Sequence, residues 1–94
     1  MDVKSMEEMR AEAQVLVSKL RAERDELNLK MHLAKAEIRD EWQKLEPKWE
    51  HFQSRVHAFG ESVGEAAKDL GAAVGILGEE IGRSYERVRK ALHA

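Results

Sequence analysis

Apolar residues recur at steps of three and four from the first turn of the chain onward. They run Met6, Met9, Ala13, Leu16, Leu20, Leu27, Met31, Ala34, Ile38, Trp42, Leu45, Trp49, Phe52, Val56 and Phe59. That spacing follows one face of an α-helix, at about 3.6 residues per turn. Ser5 with Glu8 three residues on fits a capping box at the helix start. Threonine is absent and β-branched residues never run together, so no segment reads as a strand. Pro47 is the one discordant residue: within a helix it removes the hydrogen bond to residue 43 and crowds that carbonyl, at about 3 kcal/mol. Trp42, Leu45, Trp49 and Phe52 nevertheless keep phase across it, with no glycine, asparagine or serine beside it to turn the chain. The pattern predicts one long helix over about 5–57, kinked at Pro47.

All six glycines lie between Gly60 and Gly82. Gly60 can end the first helix in the left-handed conformation, and Ser62 with Glu65 offers a second capping box. The expected turn is about 58–61, followed by a second helix over about 62–92. Folded antiparallel, the arms bring Val56 to Val63, Trp49 to Leu70, Trp42 to Leu77, Ile38 to Ile81 and Met31 to Val88. Matching four-residue steps, Ala34–Ile38–Trp42 and Leu77–Ile81–Tyr85, fall at the same level of that pair, as a local unwinding of a coiled coil would require. A single unbroken helix pairing with a second copy is the alternative. The expected core seam is Met31, Ile38, Trp42, Leu45, Trp49, Phe52, Val56, Val63, Leu70, Leu77, Ile81 and Val88.

Two features point beyond a lone hairpin. Residues 5–26 overhang the second arm yet carry Met6, Met9, Leu16 and Leu20. The glycines fall on an arc of about 60°, and each glycine inside a helix costs about 1 kcal/mol relative to alanine, so the row asks for a closely approaching helix. Val15, Ala22, Leu29 and Ala36 add a second heptad-spaced stripe on the first arm. The expectation is an all-α single domain over 1–94, an antiparallel helical hairpin dimerising into a four-helix bundle or coiled coil. Its oligomer interface would comprise Met6, Met9, Leu16, Leu20, Gly64, Gly71, Gly75, Gly78 and Gly82.

Composition agrees with that architecture and narrows the function. Ala, Glu, Lys, Leu and Arg make up roughly half the chain, as in coiled coils and long-helix bundles. With no cysteine there is neither a disulfide framework nor a thiolate site. The formal net charge of −2 argues against a general nucleic-acid binder. The longest uncharged run, residues 70–78, falls short of the roughly 20 residues that a membrane span needs. No signal peptide is visible, and a cytoplasmic location is expected.

Candidate chemistry is sparse. None of His32, His51, His57 and His93 follows a glutamate by three residues, as bundle metal sites require. No serine sits in a nucleophile elbow, and the glycine run lacks the Gly-Lys-Ser/Thr ending of a phosphate loop. No catalytic, cofactor or metal residue is assigned, and an enzyme is not expected. Trp42, Trp49, Phe52 and Phe59 read as core, with a groove for an apolar ligand beside Trp42 and Trp49 as the sharper alternative. Residues 66–78 invite a lipid-interface reading, but Lys68 stands there against Glu61, Glu65 and Asp69.

The stretch AERDELNLKMHLAKAEIRDEWQKLEPKWEHF, from Ala22 to Phe52, resembles small uncharacterised bacterial coiled-coil proteins, and the resemblance brings no activity with it. The function expected from the residues is that of a non-catalytic, self-associating scaffold or adaptor. Its partner would be itself or another helical protein, with no nucleic acid and no cofactor. A peripheral protein of lipid or granule surfaces is the alternative.

Overall fold

The computed structural model describes residues 5–93. The chain forms three helices, α1 (Met6–Lys30), α2 (Ala36–Glu61) and α3 (Gly64–Leu92), with a short 3-10 turn at Met31–Leu33 between the first two. No described residue belongs to a strand. The expected all-α class is therefore seen, but the long first helix is not: the chain doubles back at residues 31–35 as well as after α2. A helix over 5–57 would measure about 80 Å, whereas the longest dimension of the molecule is 46 Å.

Local chemistry explains the ends of α1. The Glu8 amide donates to Ser5 Oγ at 3.1 Å, so the first predicted cap is in place. Glu7 and Glu8 lie in the first turn and Lys30 in the last, both favourable to the helix dipole. At the break, Ala34 (φ −84°, ψ 156°) and Lys35 (φ −66°, ψ 154°) are extended, and the amides of Ile38 and Arg39 both bond back to the Lys35 carbonyl. Pro47 lies inside α2, which runs on across it.

The second turn also differs from expectation. Gly60 stays helical within α2, and Gly64 takes the left-handed conformation at φ +66°. Ser62 makes no cap on α3; its hydroxyl donates to the Phe59 carbonyl at 2.8 Å, closing α2 instead. Val63, expected in the seam, stands in this linker at 81% exposure. From α1, Arg10 Nη2 donates to the Ser62 carbonyl at 2.6 Å, and its guanidinium lies 5.9 Å from the centre of the Phe59 ring. One arginine thus ties the start of the chain to the second turn.

The core joins all three helices. α1 contributes Ala13, Val17, Leu20 and Leu27; α2 contributes Trp42, Leu45, Trp49, Phe52, Val56 and Phe59; α3 contributes Ala67, Val74, Ile81, Tyr85 and Val88. Met31 is buried beside them, and Ile38, Leu70 and Leu77 pack against them partly buried. Trp42 meets Tyr85, with ring centres 5.4 Å apart, rather than Leu77. Phe52 faces Gly78, and Phe59 faces Gly71. The antiparallel α2–α3 register is therefore displaced by roughly two to three turns from the one expected. Moving the turn along the chain shifts every facing pair by twice as much. The α2 aromatics also lean toward their own N-terminus, away from the linker.

Candidate interaction surface

The predicted overhang and the predicted glycine face meet each other within one chain. α1 runs parallel to α3, with Met9 over Gly71, Leu16 over Gly78 and Leu20 over Gly82. A Cβ added at Gly78 would overlap Leu16 Cδ2, and one at Gly71 would lie 2.7 Å from Met9 Cε. The sequence argument that glycines admit a close helix thus holds, but the approaching helix is α1. Met6 packs partly buried against the same core. Gly64 serves the turn, and a Cβ at Gly75 would meet nothing within 4 Å. Of the residues expected at an oligomer interface, Leu20 and Gly78 are buried within the chain, and Met6, Met9, Leu16, Gly71 and Gly82 are partly covered by the same α1–α3 packing.

A polar cluster lies at the opposite end of α1. Arg24 makes a bidentate pair with Glu46 of α2, Nε to Oε1 at 3.1 Å and Nη2 to Oε2 at 2.6 Å, and its guanidinium stands 6.0 Å from the centre of the Trp49 ring. That hydrogen bond to Glu46 holds the Arg24 pKa above its ordinary value. Trp42 Nε1 donates to Asn28 Oδ1 at 3.1 Å. The Tyr85 hydroxyl is buried beside them without a hydrogen-bond partner. Burial first, and the Glu46 carboxylate second, push its pKa well above the usual tyrosine value. Both indoles are engaged by protein, Trp42 by Tyr85 and Asn28, Trp49 by Phe52 and Arg24. The cluster fastens α1, α2 and α3 together.

Sequence reasoning missed Arg10, Arg24, Asn28 and Glu46. Their partners lie 14 to 52 positions away, and nothing in local spacing marks them. The four histidines are exposed, and His57 Nε2 lies 2.7 Å from Glu61 Oε1 on its own helix. Among the described residues no three of His, Asp and Glu are grouped as metal ligands would be.

What remains unengaged is the outer face of α1. Val15 and Leu29 are 69% and 71% exposed, and Ala11 and Ala22 between and beside them are exposed as well. At about 100° per residue these four positions fall on an arc of about 40°. Ala36, the fourth member of the stripe expected from sequence, lies beyond the break and opens α2. Lys19, Asp25 and Glu26 flank the row, all exposed. The other exposed large apolar residues, Leu33, Val63 and Ile76, stand singly on the 3-10 turn, the linker and α3; single exposed apolar residues are ordinary, whereas Val15 and Leu29 share one face of one helix with alanine between them.

No protein-family model, curated protein or solved structure matches the chain. Among the described residues, no helix is long and apolar enough to cross a membrane.

Proposed function

We propose that the protein is a non-catalytic scaffold or adaptor that associates with itself through the outer face of α1. The exposed row Val15–Ala22–Leu29 carries this reading, because it is an apolar line on a helix whose opposite side is already satisfied. Mixed charges border it, which suits a protein partner better than an anionic membrane, where lysine and arginine would dominate the flanks. The row spans about 21 Å. A single helix face of that length is shorter than a standard interface of roughly 800 Å² per partner, which places the association among the small, concentration-dependent ones.

Sedimentation velocity over a dilution series tests the reading. The wild-type chain should gain mass with concentration. Val15→Glu combined with Leu29→Glu should hold it monomeric with its helical circular dichroism unchanged. A wild-type chain that stays monomeric throughout, or a variant that associates equally well, refutes the proposal.

A further inference from the structure

The outer face of α1 is also nearly palindromic, and this sets the geometry of the pairing. We infer that two copies of the chain pair α1 against α1 antiparallel, about a two-fold axis at Ala22. This inference rests on the self-association proposed above and adds its direction.

Reversing α1 about Ala22 places Val15 of one copy against Leu29 of the other, and Ala22 against its own counterpart. Small residues then meet at the axis, where the backbones approach closest, and the two branched side chains fill the space on either side. Both large residues are exposed in the single chain and free to be covered.

The charges decide between the two directions. Taking Ala22 as zero, Lys19 and Glu26 project about 60° and 40° to one side, and Ser18 and Asp25 about 40° and 60° to the other. In an antiparallel two-fold pair like flanks face each other. Lys19 of each copy then lies level with Glu26 of the other, and Ser18 with Asp25, each pairing made twice. In a parallel pair unlike flanks meet at equal height. Asp25 and Glu26 of both copies would then crowd four carboxylates onto one level, which repel one another. Glu26 already accepts from Lys30 at 3.2 Å within its own helix, an exposed contact that leaves its second oxygen available to the partner.

The chain has no cysteine, so single introduced thiols report the geometry directly. Under mild oxidation Ala22→Cys should give a disulfide-linked dimer, since bridging requires Cβ atoms only about 3.5–4.5 Å apart. Val15→Cys alone should link poorly, and a mixture of Val15→Cys with Leu29→Cys chains should link to each other. Charge reversal gives a second reading without thiols. Lys19→Glu chains and Glu26→Lys chains should each self-associate more weakly than wild type. Mixed together they should recover association by roughly tenfold, because one ion pair is re-formed with reversed sign and the other is the original Lys19–Glu26 pair.

Efficient linking of Val15→Cys to itself, with no linking between Val15→Cys and Leu29→Cys, would overturn the antiparallel geometry while leaving self-association intact. A wild-type chain that is monomeric at every concentration, including one that instead floats with anionic vesicles, overturns both.

Discussion

Alanine substitutions along the glycine row of α3 measure whether α1 lies where the structure puts it. Replacing a helical glycine by alanine gains about 1 kcal/mol of intrinsic helix stability wherever the new methyl has room. Gly75→Ala should show that full gain, because its Cβ would meet nothing within 4 Å. Gly82→Ala should show most of it, since Leu20 Cδ2 would lie at an ordinary 3.8 Å. At Gly71 the methyl meets Met9 Cε at 2.7 Å and the Phe59 ring at 3.1 Å. Methionine can swing aside but the ring cannot, so the gain should be cancelled. At Gly78 it overlaps Leu16 Cδ2, with Leu16 Cγ at 3.1 Å and Phe52 Cε1 at 3.4 Å, so the whole leucine must move. Overpacking of that kind costs about 1–3 kcal/mol, which outweighs the propensity term. The expected order of stability is Gly75→Ala, Gly82→Ala, Gly71→Ala, Gly78→Ala. Thermal melts followed by circular dichroism resolve it, at about 4–8 °C per kcal/mol for a chain of this size. In a Leu16→Ala background the Gly78→Ala penalty should disappear, a coupling that assigns the clash to that pair. Equal stabilisation by Gly78→Ala and Gly75→Ala would mean that α1 does not pack on α3. A penalty that changed with protein concentration would mean that the covering helix belongs to another chain.

Two further outcomes follow from single residues. Gly64→Ala should destabilise by about 1–2 kcal/mol, the cost of a left-handed backbone for an L side chain, whereas Gly60→Ala, in helical conformation with open space around it, should not; the same denaturation curves decide this. Tyr85 has its pKa raised on folding, so its contribution is complete below the usual tyrosine value near 10 and is lost as the pH climbs above it. Tyr85→Phe should therefore flatten the alkaline fall in melting temperature and cost nothing at neutral pH, because the buried hydroxyl has no partner to lose. A clear loss of stability in Tyr85→Phe at pH 7 would contradict that assignment.

The parts of the fold legible in the sequence are those fixed by period and by capping. The α2 seam from Trp42 to Phe59 was readable because every member stayed in phase, and phase survives a proline when both sides bury the same face. Ser5 was readable because a cap is a contact over three residues, but the same spacing at Ser62 and Glu65 misled, since Ser62 closes α2 and Val63 precedes α3. The break at residues 31–35 was not. Leu27, Met31, Ala34 and Ile38 continue in helical phase, and Ala34 and Lys35 are good helix formers in other settings. The one irregularity, the paired four-residue steps, suits an unwound coiled coil equally well. Nothing local opposes a helix through this segment; the opposition is tertiary, and appears only once α3 is in place.

That tertiary term also explains why the residues expected at an interface between chains meet within one chain. A long hairpin would leave Gly71, Gly78 and Gly82 with a groove to be filled by a second molecule. Folding α1 back fills it at an effective concentration set by a five-residue connection, which a separate chain at micromolar concentration cannot match. The side chains that suited an interface, Met9, Leu16 and Leu20, are therefore consumed inside the chain, where α1 and α3 lie close enough for Leu16 to occupy the place of a Gly78 side chain. Rotating α1 to bury that row necessarily turns Val15, Ala22 and Leu29 outward, since they lie on the other side of the same helix. The two stripes are thus coupled: covering the glycines from within is what exposes the line available for a partner. A substitution that loosened α1 from α3, such as Gly78→Leu, should weaken association through Val15 and Leu29 as well, though it touches neither.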